Sequence, residues 1–202
     1  MLHNSLINKG NFDAIFNNLA STYEHLGGNE NINIYLVGGT AIVLNFFYRQ
    51  STLDVDALFN TNNIFKEAIK IVGNDFKLAN NWLNSDFVNT PSYSNEIIKK
   101  ATLYNKYGKN INVYCLETKY LLAMKIKSSR PEGGDIDDII KMIYETRLNN
   151  KKLTYNEVID AYKELYNDFT NTYESTLYRA KEAFEVPLED IECIIYPNRS
   201  LL

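Results

Sequence analysis

Cysteine and histidine are scarce in this chain: Cys115, Cys193, His3 and His25 are the only four in 202 residues. Two cysteines far apart in apolar contexts make no disulfide framework. They read as buried free thiols of a reducing, cytoplasmic compartment. Two histidines without a spaced partner argue against an imidazole or thiolate metal centre. No apolar run approaches the roughly 20 residues of a membrane-spanning helix. Residues 1–13 carry no basic region followed by an apolar stretch, so neither a signal peptide nor a membrane partner is expected. There is no long linker and no internal repeat. Basic charge is also short: 21 Lys and Arg stand against 25 Asp and Glu, a formal net charge of −4. Taken as a whole, this is not a basic nucleic-acid-coating protein.

A composition of 45% hydrophobic and 23% charged residues is that of a folded globular chain. The length fits one domain, or one domain with a small appendage. The charge is unevenly spread. Residues 1–98 carry 5 basic and 9 acidic groups, whereas residues 99–130 carry 8 basic groups and Glu117 as the one acid. Lys99, Lys100, Lys106, Lys109, Lys119, Lys125, Lys127 and Arg130 therefore form a basic segment in an acidic chain. Clustered on one surface, they would offer an electropositive face to triphosphate or RNA.

Hydrophobic periodicity predicts a helix over residues 11–26, with Phe12, Ile15, Phe16, Leu19, Tyr23 and Leu26 on one face. Residues 32–37 are rich in branched and aromatic side chains and predict a strand. Gly38-Gly39 ends it, and residues 40–47 predict a short buried helix. Alternation over Leu53–Phe59 predicts a second strand, with Leu53, Val55 and Ala57 turned away from Asp54 and Asp56. Residues 62–72 predict a helix closed by Gly73-Asn74, residues 75–83 a short helix around Trp82, and residues 84–98 a loop. Residues 101–106 and 111–116 predict a hairpin. Helices are predicted over residues 117–128, from Asp135, from Thr154 and from Pro187. The expected fold is α+β: a small mixed β-sheet flanked by helices over residues 1–146, with a helical C-terminal part over residues 147–202.

Three elements stand within 19 residues of one another: Gly38-Gly39-Thr40 at a strand-to-helix turn, Arg49 with Thr52, and Asp54-Val55-Asp56. On a regular strand the two carboxylates leave the same face, roughly 6.5–7 Å apart at Cα. That separation suits a pair of Mg²⁺ ions roughly 3.5–4 Å apart. The glycines admit a phosphate close to the backbone, and the helix starting at Thr40 aims free N–H groups and its positive dipole end at it. Together these parts would hold a nucleoside triphosphate (NTP) and its metals for in-line phosphoryl attack.

Leu36-Val37-Gly38-Gly39-Thr40-Ala41, followed by Arg49-x-x-Thr52-x-Asp54-x-Asp56, resembles the nucleotidyltransferase superfamily, whose fold is that of the DNA polymerase β catalytic domain. Leu121-Leu122-Ala123-Met124-Lys125, with Arg130 and Asp135-x-x-Asp138, is similar to the later motifs of the AbiEii-like branch. Members of that branch are toxins of bacterial toxin–antitoxin and abortive-infection systems. The resemblance spans roughly residues 32–143. It implies that Asp54 and Asp56 bind Mg²⁺ or Mn²⁺, and that Gly38, Gly39 and Thr40 bind the triphosphate, with Arg49, Thr52 and Arg130 beside it. It also implies that Lys125 and an acid at Asp135 or Asp138 complete the catalytic set. Read from the residues alone, Lys125 either snorkels from a core helix or is kept charged by a triphosphate. Asp135 is an N-cap or a site acid, and Asp138 orients Lys125 or faces solvent. Asn112 stands where polymerase-like members carry a third carboxylate.

The expected activity is metal-dependent transfer of a nucleotide from an NTP to a hydroxyl of RNA, tRNA included, or of protein. The resemblance implies a toxin with a cognate antitoxin as partner. Two other readings are a catalytically silent nucleotide- or partner-binding module, motivated by Asn112, and nucleotidyl transfer to a small molecule such as an antibiotic.

Overall fold

The computed structural model describes residues 4–129, 135–149 and 152–195. Arg130, His3 and the Cys193 side chain lie outside the described residues, so the expectations placed on them stand as stated. The chain divides into two compact units, Met1–Val88 with Ile97–Glu117, and Asn89–Glu96 with Thr118–Leu202. No helix among the described residues is long and apolar enough to cross a membrane.

The first unit is built on a mixed five-stranded sheet of order β3-β2-β1-β5-β4. Its strands are β1 (Ile32–Leu36), β2 (Val55–Phe59), β3 (Leu83–Asn84), β4 (Ala101–Tyr107) and β5 (Ile111–Leu116). Central β1 pairs antiparallel with β2 and parallel with β5, and β4 and β5 form the expected hairpin. Alternation separates the two faces. Ile32, Ile34 and Leu36 of β1 and Ile111, Val113 and Cys115 of β5 are buried, whereas Asn33, Tyr35, Asn112 and Tyr114 are half-buried on the other side. The apolar face is covered by α1 (Phe12–His25) and α3 (Asn63–Asp75), which also pack on each other. Phe16 of α1 meets Tyr107 at a centroid distance of 5.5 Å, and Phe65 of α3 meets Phe59 at 6.0 Å. Short α2 (Gly38–Asn45) is apolar almost all round and buries Thr40, Ala41, Ile42, Val43 and Leu44. Cys115 is a buried free thiol, as expected, with its Sγ accepting from the Asn45 amide at 3.2 Å.

Three local expectations are corrected. The second strand starts at Val55, not Leu53. Pairing with β3 begins at Val55–Leu83, while Thr52 is drawn into an isolated bridge with Ile7. The backbone bends between these two pairings, so Leu53 is 54% exposed and Asp54 precedes the strand. The segment around Trp82 is not a helix. Helix α3 runs through Gly73 to Asp75, and Leu83–Asn84 then joins the sheet beside β2. Gly73 is a packing notch rather than a stop: a Cβ there would lie 2.9 Å from the Trp82 ring. The indole Nε1 donates to the Ile69 carbonyl at 2.9 Å, which fixes Trp82 against α3. Finally, residues 84–98 hold a 3₁₀ turn (Asp86–Asn89) and the short α4 (Ile97–Lys100) rather than only loop.

The second unit is helical, with α5 (Thr118–Ser128), α6 (Asp135–Leu148), α7 (Tyr155–Tyr166), α8 (Glu174–Glu185) and α9 (Leu188–Ile195). Helix α5 packs on α6 and α7, and α6 packs on α8 and α9. Thr154 and Glu157 close α7 with a reciprocal capping box. Arg147 Nη1 donates to the carbonyls of Ala183 and Val186 at 2.8 and 2.7 Å, satisfying the last turn of α8. Segment 89–96 is tied to this unit by Ser94 Oγ donating to the Leu165 carbonyl and Tyr166 Oη donating to the Ser92 carbonyl, both at 2.7 Å.

Candidate active site

β1 delivers the chain to Gly38, where α2 begins without a side-chain N-cap. Its first backbone N–H groups are therefore left to a ligand or to water. Gly38 has φ +55°, and a Cβ there would lie 2.6 Å from Asp56 Oδ2. A Cβ on Gly39 would lie 2.9 Å from Arg49 Nη2 and 3.0 Å from Thr52 Oγ1. Gly38 needs glycine for its positive φ, and at both positions Asp56, Arg49 and Thr52 close on the turn from the other side. Thr40 is buried, and its hydroxyl donates to the Asp54 carbonyl oxygen at 2.8 Å. Thr52 Oγ1 donates to Asp54 Oδ1 at 3.3 Å. Asp54 is thus held by these two threonines and not by strand pairing. The Val37 N–H donates to the Asp56 carbonyl at 2.9 Å and locks β2 to the end of β1.

Seven expected residues, Gly38, Gly39, Thr40, Arg49, Thr52, Asp54 and Asp56, are therefore brought together within the first unit. The electrostatics of the group are unbalanced. Partial burial, followed by the nearby charges of Asp54 and Asp86, pushes the Asp56 carboxyl up to about 6, against a smaller lowering by Arg49. Asp86 is the residue that sequence reasoning missed. Its place depends on β3, two residues long, whose Asn84 pairs with Asp56 and accepts from the Asp86 N–H at 2.9 Å. No periodicity marks so short a strand.

Oxygen donors carrying surplus negative charge suit a hard divalent cation. Among the described residues no group of three or more His, Cys, Asp or Glu side chains is arranged to hold a metal. The protein's share would thus be Asp54 and Asp56, with the rest of the shell from phosphate oxygens and water, as is usual for Mg²⁺.

The expected third-carboxylate position is corrected. Asn112 pairs in register with Asn33 of β1, whereas Asp56 lies beyond the Leu36–Ala57 pair at the other end of that strand. Four residues of strand, about 13 Å, separate the two rows. The Asn112 amide donates to Asn33 Oδ1 at 3.1 Å instead.

Lys125, Asp135 and Asp138 form a group in the second unit. Lys125 Nζ lies 2.9 Å from Asp135 Oδ1 and 3.0 Å from Asp138 Oδ2, with its side chain 18% exposed. Asp138 orients Lys125 rather than facing solvent freely. The basic segment divides between the units. Lys99, Lys100, Lys106 and Lys109 belong to the first, and Lys119, Lys125 and Lys127 to the second. Lys127 lies over the rings of Tyr162 and Tyr166, at 5.8 and 5.4 Å from their centroids.

A mixed sheet with a strand, a Gly-Gly turn, a helix N-terminus and a neighbouring acidic strand defines the nucleotidyltransferase class of fold. The chain belongs to a family within that class: residues 14–186 match the family described as "Nucleotidyltransferase of unknown function (DUF6036)". No curated protein and no solved structure matches it.

Proposed function

We propose that this nucleotidyltransferase is metal-dependent and transfers a nucleotide from an NTP to a hydroxyl of RNA or protein. The carrying observation is the closure of Asp56, Arg49 and Thr52 on the Gly38-Gly39 turn at the head of α2. In this reading the N–H groups of Gly38, Gly39 and Thr40 hold the phosphates, and Arg49 and Thr52 flank them. Asp54 and Asp56 hold Mg²⁺ or Mn²⁺. The bound cation would offset phosphate charge and lower the pKa of the acceptor hydroxyl. The acceptor oxygen bonds to the α-phosphorus as the bond to pyrophosphate breaks, and the hydroxyl proton passes to water. Lys125, Asp135 and Asp138 form their own ion-paired group within the second unit.

The Lys125–Asp135–Asp138 triad also supports the AbiEii-like branch, and with it a toxin role opposed by a cognate antitoxin. Asn112 carries no weight for a silent site, because its row is remote from Asp56. The test is incubation of the pure protein with each α-labelled NTP, Mg²⁺ or Mn²⁺, and total tRNA. Wild type transfers label, whereas chelation of the metal and Asp54→Asn both stop transfer. Equal transfer by Asp54→Asn refutes the assignment.

A further inference from the structure

The face of the sheet opposite α1 and α3 carries a feature that the phosphate site does not use. Tyr35 of β1 and Tyr114 of β5 are register partners whose rings are stacked, with centroids 4.8 Å apart and planes at 17°. Both are half-buried, and neither hydroxyl has a hydrogen-bond partner among the described residues. An aromatic pair left partly in water forgoes burial of its faces, which a flat ligand would complete.

The surroundings narrow that ligand. Tyr35 pairs with Leu58, two residues along β2 from Asp56, so the carboxylate site lies one side-chain row away, about 6–7 Å along the strand. On the opposite flank is the Asn33–Asn112 pair. Their mutual bond leaves the Asn33 amide N–H donors and the Asn112 carbonyl oxygen unused among the described residues, a donor and an acceptor side by side. Lys106 pairs with Asn112 in the same row, is exposed, and has no ion partner among the described residues. A ring face, amide groups for a polar edge, a cation and an adjacent phosphate site together match a nucleotide.

We propose that Tyr35 and Tyr114, with Asn33 and Asn112 at the edge, form a stacking subsite for a nucleobase beside the carboxylates. The base belongs either to the incoming NTP or to the terminal nucleotide of an RNA acceptor. The subsite rests on the nucleotidyltransferase reading, because the neighbouring phosphate site is what selects a nucleotide over other flat ligands.

The test uses the full chain with Mg²⁺ and two fluorescent probes, aminopurine riboside triphosphate and a short single-stranded RNA ending in aminopurine. Stacking on tyrosine quenches the probe. The source of the base is the probe that wild type quenches. Tyr35→Leu, which stays apolar but removes the π-face, weakens binding of that probe by roughly 10-fold or more. Tyr114→Leu does the same, and Tyr35→Phe keeps most of the quench. Circular dichroism of each variant checks that the sheet is intact. Wild type quenching neither probe, or folded Tyr35→Leu and Tyr114→Leu both binding like wild type, overturns the subsite. Label transfer is measured in parallel. Transfer with unchanged binding by the leucine variants removes the subsite alone. Quenching lost in those variants, with no transfer from any NTP, removes the transferase reading and leaves the subsite standing.

Discussion

Replacing Asp56 by asparagine makes the metal-free protein more stable while abolishing its activity. Asp56 sits half-buried against Gly38, with Asp54 and Asp86 near and Arg49 as the opposing charge. Its carboxyl is raised from an ordinary 3.8 to about 6, chiefly by burial and then by the two carboxylates. Such a displacement sets a ceiling of about 3 kcal/mol on the cost of keeping Asp56 ionised at neutral pH. Partial exposure to water screens the charges, and about 1–2 kcal/mol is the expected gain for Asp56→Asn. The sign with pH follows. The neutral form is favoured by folding, so this contribution is full below about 4 and is lost as pH rises through about 6. The assay is urea unfolding of wild type and Asp56→Asn in chelator across that range. The difference between the two is near zero at the acid end and reaches about 1–2 kcal/mol in favour of the variant by neutral pH. Mg²⁺ with NTP then stabilises wild type and not the variant. A variant equal to or less stable than wild type at neutral pH in chelator refutes the account of a strained carboxylate site.

Gly38→Ala places a Cβ at positive φ and 2.6 Å from Asp56 Oδ2, and it lowers stability by roughly 1–3 kcal/mol in chemical denaturation while displacing Asp56 and stopping transfer. Lys125→Met leaves Asp135 and Asp138 without their shared cation and destabilises the second unit by roughly 1–3 kcal/mol; Asp135→Asn combined with Lys125→Met recovers part of that loss. Thr154→Ala removes the capping box of α7 and lowers stability by about 1 kcal/mol with no change in transfer per folded molecule, which separates stability from chemistry. If the protein acts as a toxin, overexpression arrests growth and Asp56→Asn relieves the arrest, read by colony counts.

The Gly38–Asp56 group of the candidate site was legible in the sequence because it is local. Gly38, Gly39 and Thr40 follow directly from β1, and across the short helix α2 come Arg49, Thr52 and Asp54 in the connection to β2 and Asp56 on that strand. The reason for their proximity was different from the one periodicity suggested. Alternation predicted Asp54 on a strand, whereas Ile7 and Leu83 compete for the chain on either side of it and bend it there. Residues whose role depends on register were not legible. Asp86 arrives through a two-residue strand, and Asn112 falls at the far end of β5 from Asp56 because β1 and β5 run parallel. Trp82 looked like a helix centre because its apolar neighbours are close in sequence, yet it fills a notch at Gly73 of the preceding helix. The stacked Tyr35–Tyr114 pair is likewise invisible until two strands 79 residues apart in sequence are aligned. The pairing of Lys125 with Asp138 was one of two readings the sequence left open, the other being a solvent-facing Asp138; positions 135 and 138 share a face one helical turn apart.

The central claim is that Asp54 and Asp56 serve nucleotidyl transfer. Its most direct test is label incorporation from α-labelled NTP, with pyrophosphate release followed in the same reaction, for wild type, Asp54→Asn and Asp56→Asn side by side in Mg²⁺ or Mn²⁺ with RNA acceptor. Wild type gives stoichiometric label and pyrophosphate, and the two variants give neither. Incorporation by the variants at the wild-type rate, or no incorporation by wild type with any NTP, contradicts that claim.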